Sequence, residues 1–222
     1  MLKKKGGAQE KRRLLKMTLY ERDALAAGYT VIAGIDEAGR GPLAGPVVAC
    51  AAIVKPGYVI PYVDDSKKLN VSLRMRLFQE ITADPNVQYA VGIIDHEEID
   101  RVNIYQATLL AMKQAILGLK TVPDLLLIDA VKLKDVAIHQ KNIIRGDSQS
   151  HTIAVASIIA KETRDKIMID LDEEYPVYGF KHHKGYATEK HLSALEQFGP
   201  CPIHRRSFCP VRNALSPQLV LS

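Results

Sequence analysis

The sequence predicts one α/β domain built on a mixed sheet, and three observations carry that prediction. Strand-like runs come first and then alternate with helix-like runs, the order expected of a sheet that opens antiparallel and continues through crossovers. The 222-residue chain is 47% apolar and 25% charged, sufficient for one large core and ordinary for a globular protein. No internal repeat and no low-complexity stretch interrupts it.

The elements follow in order. Residues 9–27 predict an amphipathic helix, with Leu14, Leu15, Leu19 and Leu25 close to a 3.6-residue period. Residues 30–37 (TVIAGIDE) are β-branched and apolar, then give way to glycines and a proline, which predicts a strand ending in a loop. Strands at 46–54 and 87–94 complete an antiparallel meander, with a helix at 71–83 between them. A longer helix is expected at 103–119. Residues 124–129 (DLLLID) form a continuous apolar run ending on a carboxylate, as in a strand buried on both faces. Another strand is expected at 136–144, helices at 150–174 and 188–198, and a proline-punctuated segment to the end.

Charge is unevenly spread. Lys and Arg exceed Asp and Glu by five overall, yet residues 1–16 alone carry seven bases against one acid. The rest therefore sums to −1, so the basic balance belongs to a tail: a solvated charge run or a nucleic-acid arm. Residues 44–54 are the longest apolar stretch, contain a proline, and are too short to cross a bilayer. No apolar run follows the basic N-terminus, so no signal peptide is expected. Cys50, Cys201 and Cys209 form no CxxC pair, which argues against a disulfide framework or a zinc site and for a cytoplasmic location.

Four acids stand where strands end: Asp36 and Glu37 after the first, Asp129 after the fourth, Asp147 after the fifth. Ligands gather at strand ends in open α/β sheets. Carboxylates collected there repel one another unless a cation is present, and oxygen donors without His or Cys suit Mg²⁺ or Mn²⁺. Any one of these acids alone reads as a helix cap or turn residue. Asp36 and Glu37 are neighbours, and neighbours in a strand point to opposite faces. Both serve one site only if the strand ends between them or if Glu37 contributes its backbone carbonyl.

The loop GIDEAGRGPLAGPV sets Gly39, Arg40 and Gly41 directly after the acid pair. It is neither a Walker A loop, lacking Lys-Ser/Thr after the second glycine, nor GxGxxG before a helix. Two glycines and Pro42 would explain a tight turn; the arginine between the glycines, beside two carboxylates, favours function.

With DDSKKL, LLLIDA, GDSQSHTIAVASIIAKETRD, HKGYAT and HRRSFCPV, this loop occurs in an order and spacing that resembles bacterial ribonuclease HII, over residues 29–215. The resemblance implies a ribonuclease H-like fold, a central mixed sheet flanked by helices with a C-terminal helical extension. Its expected divisions are a basic tail and helix (1–28), a catalytic core (29–198) and an extension packed on the core (199–222). It implies an endonuclease that hydrolyses the RNA strand of RNA–DNA hybrids and incises 5′ of single ribonucleotides in duplex DNA, leaving 3′-hydroxyl and 5′-phosphate ends.

Asp36, Glu37, Asp129 and Asp147 match the family's metal-site acids, for Mg²⁺ or Mn²⁺, two per site with substrate bound. Gly39, Arg40 and Gly41 match the loop that contacts the 2′-hydroxyl, the group that separates RNA from DNA. Tyr186 matches the tyrosine that senses the neighbouring sugar. Ser66, Lys67 and Asn103 match positions on the nucleic-acid backbone; from the residues alone, Lys67 reads equally as a solvated helix-entrance charge and Asn103 as an N-cap. Lys184 is a further candidate for phosphate. Lys161, Arg164 and Asp165 are expected to form ion pairs rather than to catalyse, and His182 and His183 lack a third spaced ligand for zinc. Residues 218–222 (QLVLS) are similar to peptides that dock on bacterial sliding clamps but lack the terminal aromatic, which disfavours that partner. A monomer is expected. A competing reading is a non-catalytic hybrid-binding protein, against which the four intact acids argue.

Overall fold

The computed structural model describes residues 7–215. Its sheet has five strands: β1 (Ile32–Ala38), β2 (Val47–Val54), β3 (Val87–Ile94), β4 (Leu125–Asp129) and β5 (His139–Ile143). Their order is β3-β2-β1-β4-β5, with β1, β2 and β3 antiparallel and β4 and β5 joined parallel to β1. The expected meander and mixed sheet are therefore present.

Period-two alternation assigns the faces. Ala33, Ile35, Val47, Ala49, Ala51, Leu126 and Ile128 pack beneath α5 (Ile104–Leu117). Val48, Cys50 and Ala52 pack on the other face, against α3 (Val71–Ala83) and α6 (His151–Glu174). Glycine permits the closest approaches. A Cβ on Gly34 would lie 2.3 Å from the Thr152 carbonyl carbon of α6, and one on Gly92 would lie 2.0 Å from the Ala111 oxygen of α5. Each helix thus rests on backbone, one on each face.

Helix starts follow their caps: Asn70 accepts from Leu73 N at 2.9 Å before α3, and Ser150 from Ile153 N at 3.2 Å before α6. Three expectations change. The N-terminal helix breaks at Thr18 into α1 (Gly7–Met17) and α2 (Leu19–Ala26). A short helix, α4 (His96–Val102), precedes α5, because Asp95 caps it by accepting from Glu98 N at 2.8 Å. The last strand begins at His139 rather than 136, since the Gln140 amide makes two 2.9 Å bonds to the Leu133 backbone and holds the preceding chain in a loop.

Beyond α6 come α7 (Phe180–His183), α8 (Glu189–Phe198) and α9 (Cys209–Leu215). Val211 of α9 packs with Leu43 and Leu195, so the C-terminal segment shares a core with the loop after β1. Among the described residues no helix is long and apolar enough to cross a membrane. Cys50, Cys201 and Cys209 are all free thiols. Residues 218–222 lie outside the described residues.

Candidate active site

Strand register alone brings two of the acids together. Ile35 pairs with Ile128 across parallel β1 and β4, and both side chains enter the α5-side core. The following residues, Asp36 and Asp129, therefore share the opposite face, where β4 ends beside β1. Asp129 accepts a 2.7 Å hydrogen bond from Gly146 N, which ties it to the 3₁₀ turn Gly146–Ser148 that carries Asp147.

The environment penalises negative charge. Asp36 and Asp147 are only 3% and 4% exposed. Burial, then Glu37, raises the Asp36 carboxyl well above the usual range; Asp129 adds to this and a hydrogen bond from Ser157 opposes it. Burial also raises Glu37, against the pull of Arg40, and raises Asp147, with Asp65 and Asp129 adding to the effect. Crowded, desolvated carboxylates of this kind take up protons or cations.

Glu37 does not follow a strand end. β1 runs on to Ala38, with Glu37 paired to Ala49, so of the two alternatives the strand end between Asp36 and Glu37 is absent and the Glu37 backbone carbonyl is left. Pairing with β2 carries the strand past the point where pairing with β4 stops. The Glu37 carboxylate lies 3.5 Å from Arg40.

The glycine loop is held from behind by two fully buried guanidiniums. Arg205 donates to the carbonyls of Gly39, Arg40, Pro42, Gly45 and Pro46 at 2.7–3.1 Å. Arg164 donates to Pro46, Ala44 and Lys184 carbonyls at 2.9–3.1 Å. Among the described residues Arg164 thus forms no ion pair, contrary to expectation, because its helix position faces loop carbonyls. Lys161 and Asp165 do pair, at 2.6 Å, and Asp165 also meets Arg74 at 3.3 Å. Gly39 has φ +100°, and a Cβ there would lie 2.1 Å from Arg164 Nε, so glycine is required.

Tyr186 is brought to this loop by backbone pairing, since Leu43 N donates to Gly185 O at 2.7 Å. A Cβ on Gly41 would lie 3.5 Å from the Tyr186 ring. Glu37, Gly39, Arg40, Gly41, Ser66, Lys67, Lys184 and Tyr186 line one open cleft of about 700 Å³. Lys67 Nζ is 3.9 Å from Asp147. Ser66 is buried, and its hydroxyl is hydrogen-bonded to that of Ser157 at 2.9 Å. Asn103 does not line the cleft; it caps α5, accepting from Gln106 N at 3.1 Å, with an unusual φ of +71°. Among the described residues, no three carboxylate, imidazole or thiol groups already converge on one metal position.

The family model for ribonuclease HII matches residues 33–211. A ribonuclease HII of Acetivibrio thermocellus is 52% identical over 200 residues, covering 90% of this chain and 78% of that protein. One from Chlamydia trachomatis serovar L2 is 51% identical over 198 residues, covering 89% and 91%. The chain belongs to the ribonuclease HII family. The crystal structure of the ribonuclease H2 from Pyrococcus horikoshii, at 25% identity, superposes with a TM-score of 0.69 over 83% of this chain and 96% of that one. The fold is thus the ribonuclease H-like fold, and membership makes the protein a ribonuclease acting on RNA–DNA hybrids.

Sequence reasoning passed over two contributors to this ribonuclease HII site. Asp65 stands beside Asp147 and helps raise its carboxyl; the doubled acid of DDSKKL was its signal. Arg205 organises the glycine loop, but HRRSFCPV offers no pattern that reveals which arginine turns inward.

Proposed function

We propose that this protein cuts the RNA strand of RNA–DNA hybrids and incises 5′ of single ribonucleotides in duplex DNA, leaving 3′-hydroxyl and 5′-phosphate ends. The observation that carries the reading is the common face of Asp36 and Asp129, beside a loop pinned by carbonyl bonds and next to Tyr186. Pinning the carbonyls inward leaves loop amides for a 2′-hydroxyl, which DNA lacks. The Tyr186 ring offers a flat apolar face to the adjoining deoxyribose. Lys67 supplies a cation for phosphate; Ser66, buried against Ser157, holds that segment in place, and Asn103 would meet the duplex backbone only outside the cleft, where it caps α5.

The donor set fits hard divalent cations, Mg²⁺ or Mn²⁺, held by the carboxylates of Asp36, Asp129 and Asp147 and, since β1 does not break at Glu37, by the Glu37 backbone carbonyl. Mg²⁺ is commonly bound through one or two carboxylates plus waters and substrate phosphate, so a preformed cage of three protein groups is not required. Two bound ions would activate a water and stabilise the leaving oxygen. The acids' own part is to fix those positions and to stay deprotonated once the cation offsets their repulsion.

The test is incubation with duplex DNA containing one ribonucleotide, with Mg²⁺, with Mn²⁺ and with chelator. Cation-dependent incision 5′ of the ribonucleotide is expected. Binding without incision would instead indicate a hybrid-binding protein, and cutting indifferent to the 2′-hydroxyl would reject the assignment of the loop.

A further inference from the structure

His204 and Arg205 are neighbours in the chain, and each reaches one of the two segments assigned above to sugar recognition. Arg205 holds the glycine loop. His204 begins a line of imidazoles that ends on Tyr186. Hydrogen-bond partners assign every proton along it. Cys201 N donates to His204 Nδ1 at 3.0 Å, which leaves the His204 proton on Nε2. His204 Nε2 donates to His191 Nε2 at 3.0 Å, so His191 carries its own proton on Nδ1 and donates it to the Tyr186 carbonyl at 2.9 Å.

The surroundings hold this line rigid. His183 stacks on His191 with centroids 4.5 Å apart and 12° between planes. The His183 proton goes to the Tyr178 carbonyl at 2.8 Å, and its Nδ1 accepts from Gly185 N at 3.2 Å. Phe180 meets His191 edge-on at 5.4 Å. Both His191 and His204 are fully buried, and burial lowers the pKa of each, so the rings are neutral as the proton assignment requires. None of the carboxylates of the candidate active site touches the line.

We propose that the His204–His191 relay is a positioning device that seats Tyr186 against Gly41 and thereby sets the preference for a ribonucleotide–deoxyribonucleotide junction over a continuous hybrid. The inference rests on the reading of Tyr186 given above. Without the relay, Tyr186 keeps its backbone bonds from Thr188 N at 2.8 Å and to His183 O at 2.9 Å, and Gly185 keeps its bond from Leu43 N, but the Tyr186 carbonyl loses the imidazole that fixes its direction. The space between Gly41 and the ring would just admit one added carbon, whose contact with the ring would be 3.5 Å, so a small displacement of the ring changes what fits there. The glycine loop has independent anchors in Arg164 and Arg205, so recognition of the 2′-hydroxyl itself survives.

The experiment compares kcat/KM on duplex DNA with a single ribonucleotide and on a long RNA–DNA hybrid, in one divalent metal. The proteins are wild type, His191→Leu, His191→Asn, His204→Leu and His204→Gln. Asn at 191 retains a donor where Nδ1 stood, and Gln at 204 retains one where Nε2 stood. The leucine variants are expected to lower the junction-to-hybrid ratio about tenfold or more, the usual cost of losing an orienting partner. The asparagine and glutamine variants should restore the ratio to within about threefold of wild type, with the relay's geometry back in place. Equal losses on both substrates, or polar variants no better than leucine, would overturn the proposal. Should the leucine variants fail to fold, His204→Asn carries the test: its amide is too short to reach His191, so its ratio must fall below that of His204→Gln. Wild-type protein inactive on both substrates would defeat the functional reading itself, a result distinct from an unchanged ratio in an active enzyme.

Discussion

Burial, Glu37 and Asp129 all push the Asp36 carboxyl upward, so the fold without a cation holds a charge it disfavours. The sign of the pH effect follows. A carboxyl raised in the folded state binds protons there that the unfolded chain has already released. Stability of the cation-free protein therefore falls as pH climbs from the ordinary carboxylate range through the raised value. Asp36→Asn removes that penalty. In chelator at neutral pH its melting temperature should exceed wild type, by about 2–4 °C per kcal/mol relieved in a chain of this size. The same substitution, like Asp129→Asn, should lower incision by at least about 10²-fold, the scale of losing a principal electrostatic group. A variant that melts lower in chelator, or cuts well, would count against the site. At Gly39 the argument is steric. Gly39→Ala must adopt φ near +100° and displace the buried Arg164, and it should cost about 1–3 kcal/mol in urea unfolding as well as incision.

Single positions govern how whole elements meet. Because α6 lies on the backbone of β1 at Gly34, Gly34→Ala should push the helix away and lower stability by about 1–3 kcal/mol or more, read from the urea midpoint. Asp36 lies two residues along the same strand face, so that displacement should also weaken Mn²⁺ binding, measurable by calorimetry. The segment joining α8 to α9 contributes its own pH response. Burial, with His191 adding, lowers His204 to about 4, below the value of an unfolded histidine. As pH falls, the unfolded chain takes up this proton first. The stability is thus fully present above about pH 6.5 and is lost toward pH 4. His204→Gln should remove a contribution on the order of 3 kcal/mol to that decline, seen as the difference between the two proteins' unfolding energies at pH 7 and pH 4.

Across the whole molecule the charge is concentrated at the N-terminus. Arg13 in α1 is tied into the body, donating to Val63 O at 2.8 Å and lying 3.4 Å from Asp64, at the edge of the DDSKKL segment. Met17 is buried in the core beside it. Removing residues 1–16 would therefore damage packing as well as charge. Of the charged side chains, removing residues 1–6 takes away Lys3, Lys4 and Lys5 alone. If these contact phosphate, the slope of log K against log salt on a hybrid duplex should flatten by up to about 2.7, from about 0.9 per released counterion. An unchanged slope would show that the terminal lysines make no contact with the duplex.

Much of the plan was legible without coordinates. Alternation and apolar runs placed five strands within a few residues, because side-chain periodicity is a local property. The acids at strand ends and the glycine loop were visible for the same reason, as residue types beside a predicted chain reversal. Local signals could not show that Glu37 stays within its strand, since pairing with β2 sustains β1 to Ala38. Nor could they separate Arg164, which faces carbonyls, from Lys161, which faces Asp165, although both lie on one helix. The inward turn of Arg205 and the line from His204 to Tyr186 depend on residues about 160 and 20 positions apart meeting in space. Sequence by itself determined the order of the strands, the places of the four acids along the chain and the family. Tertiary structure alone decided which buried polar groups satisfy one another, because a desolvated donor must find whatever acceptor the packed chain brings within reach.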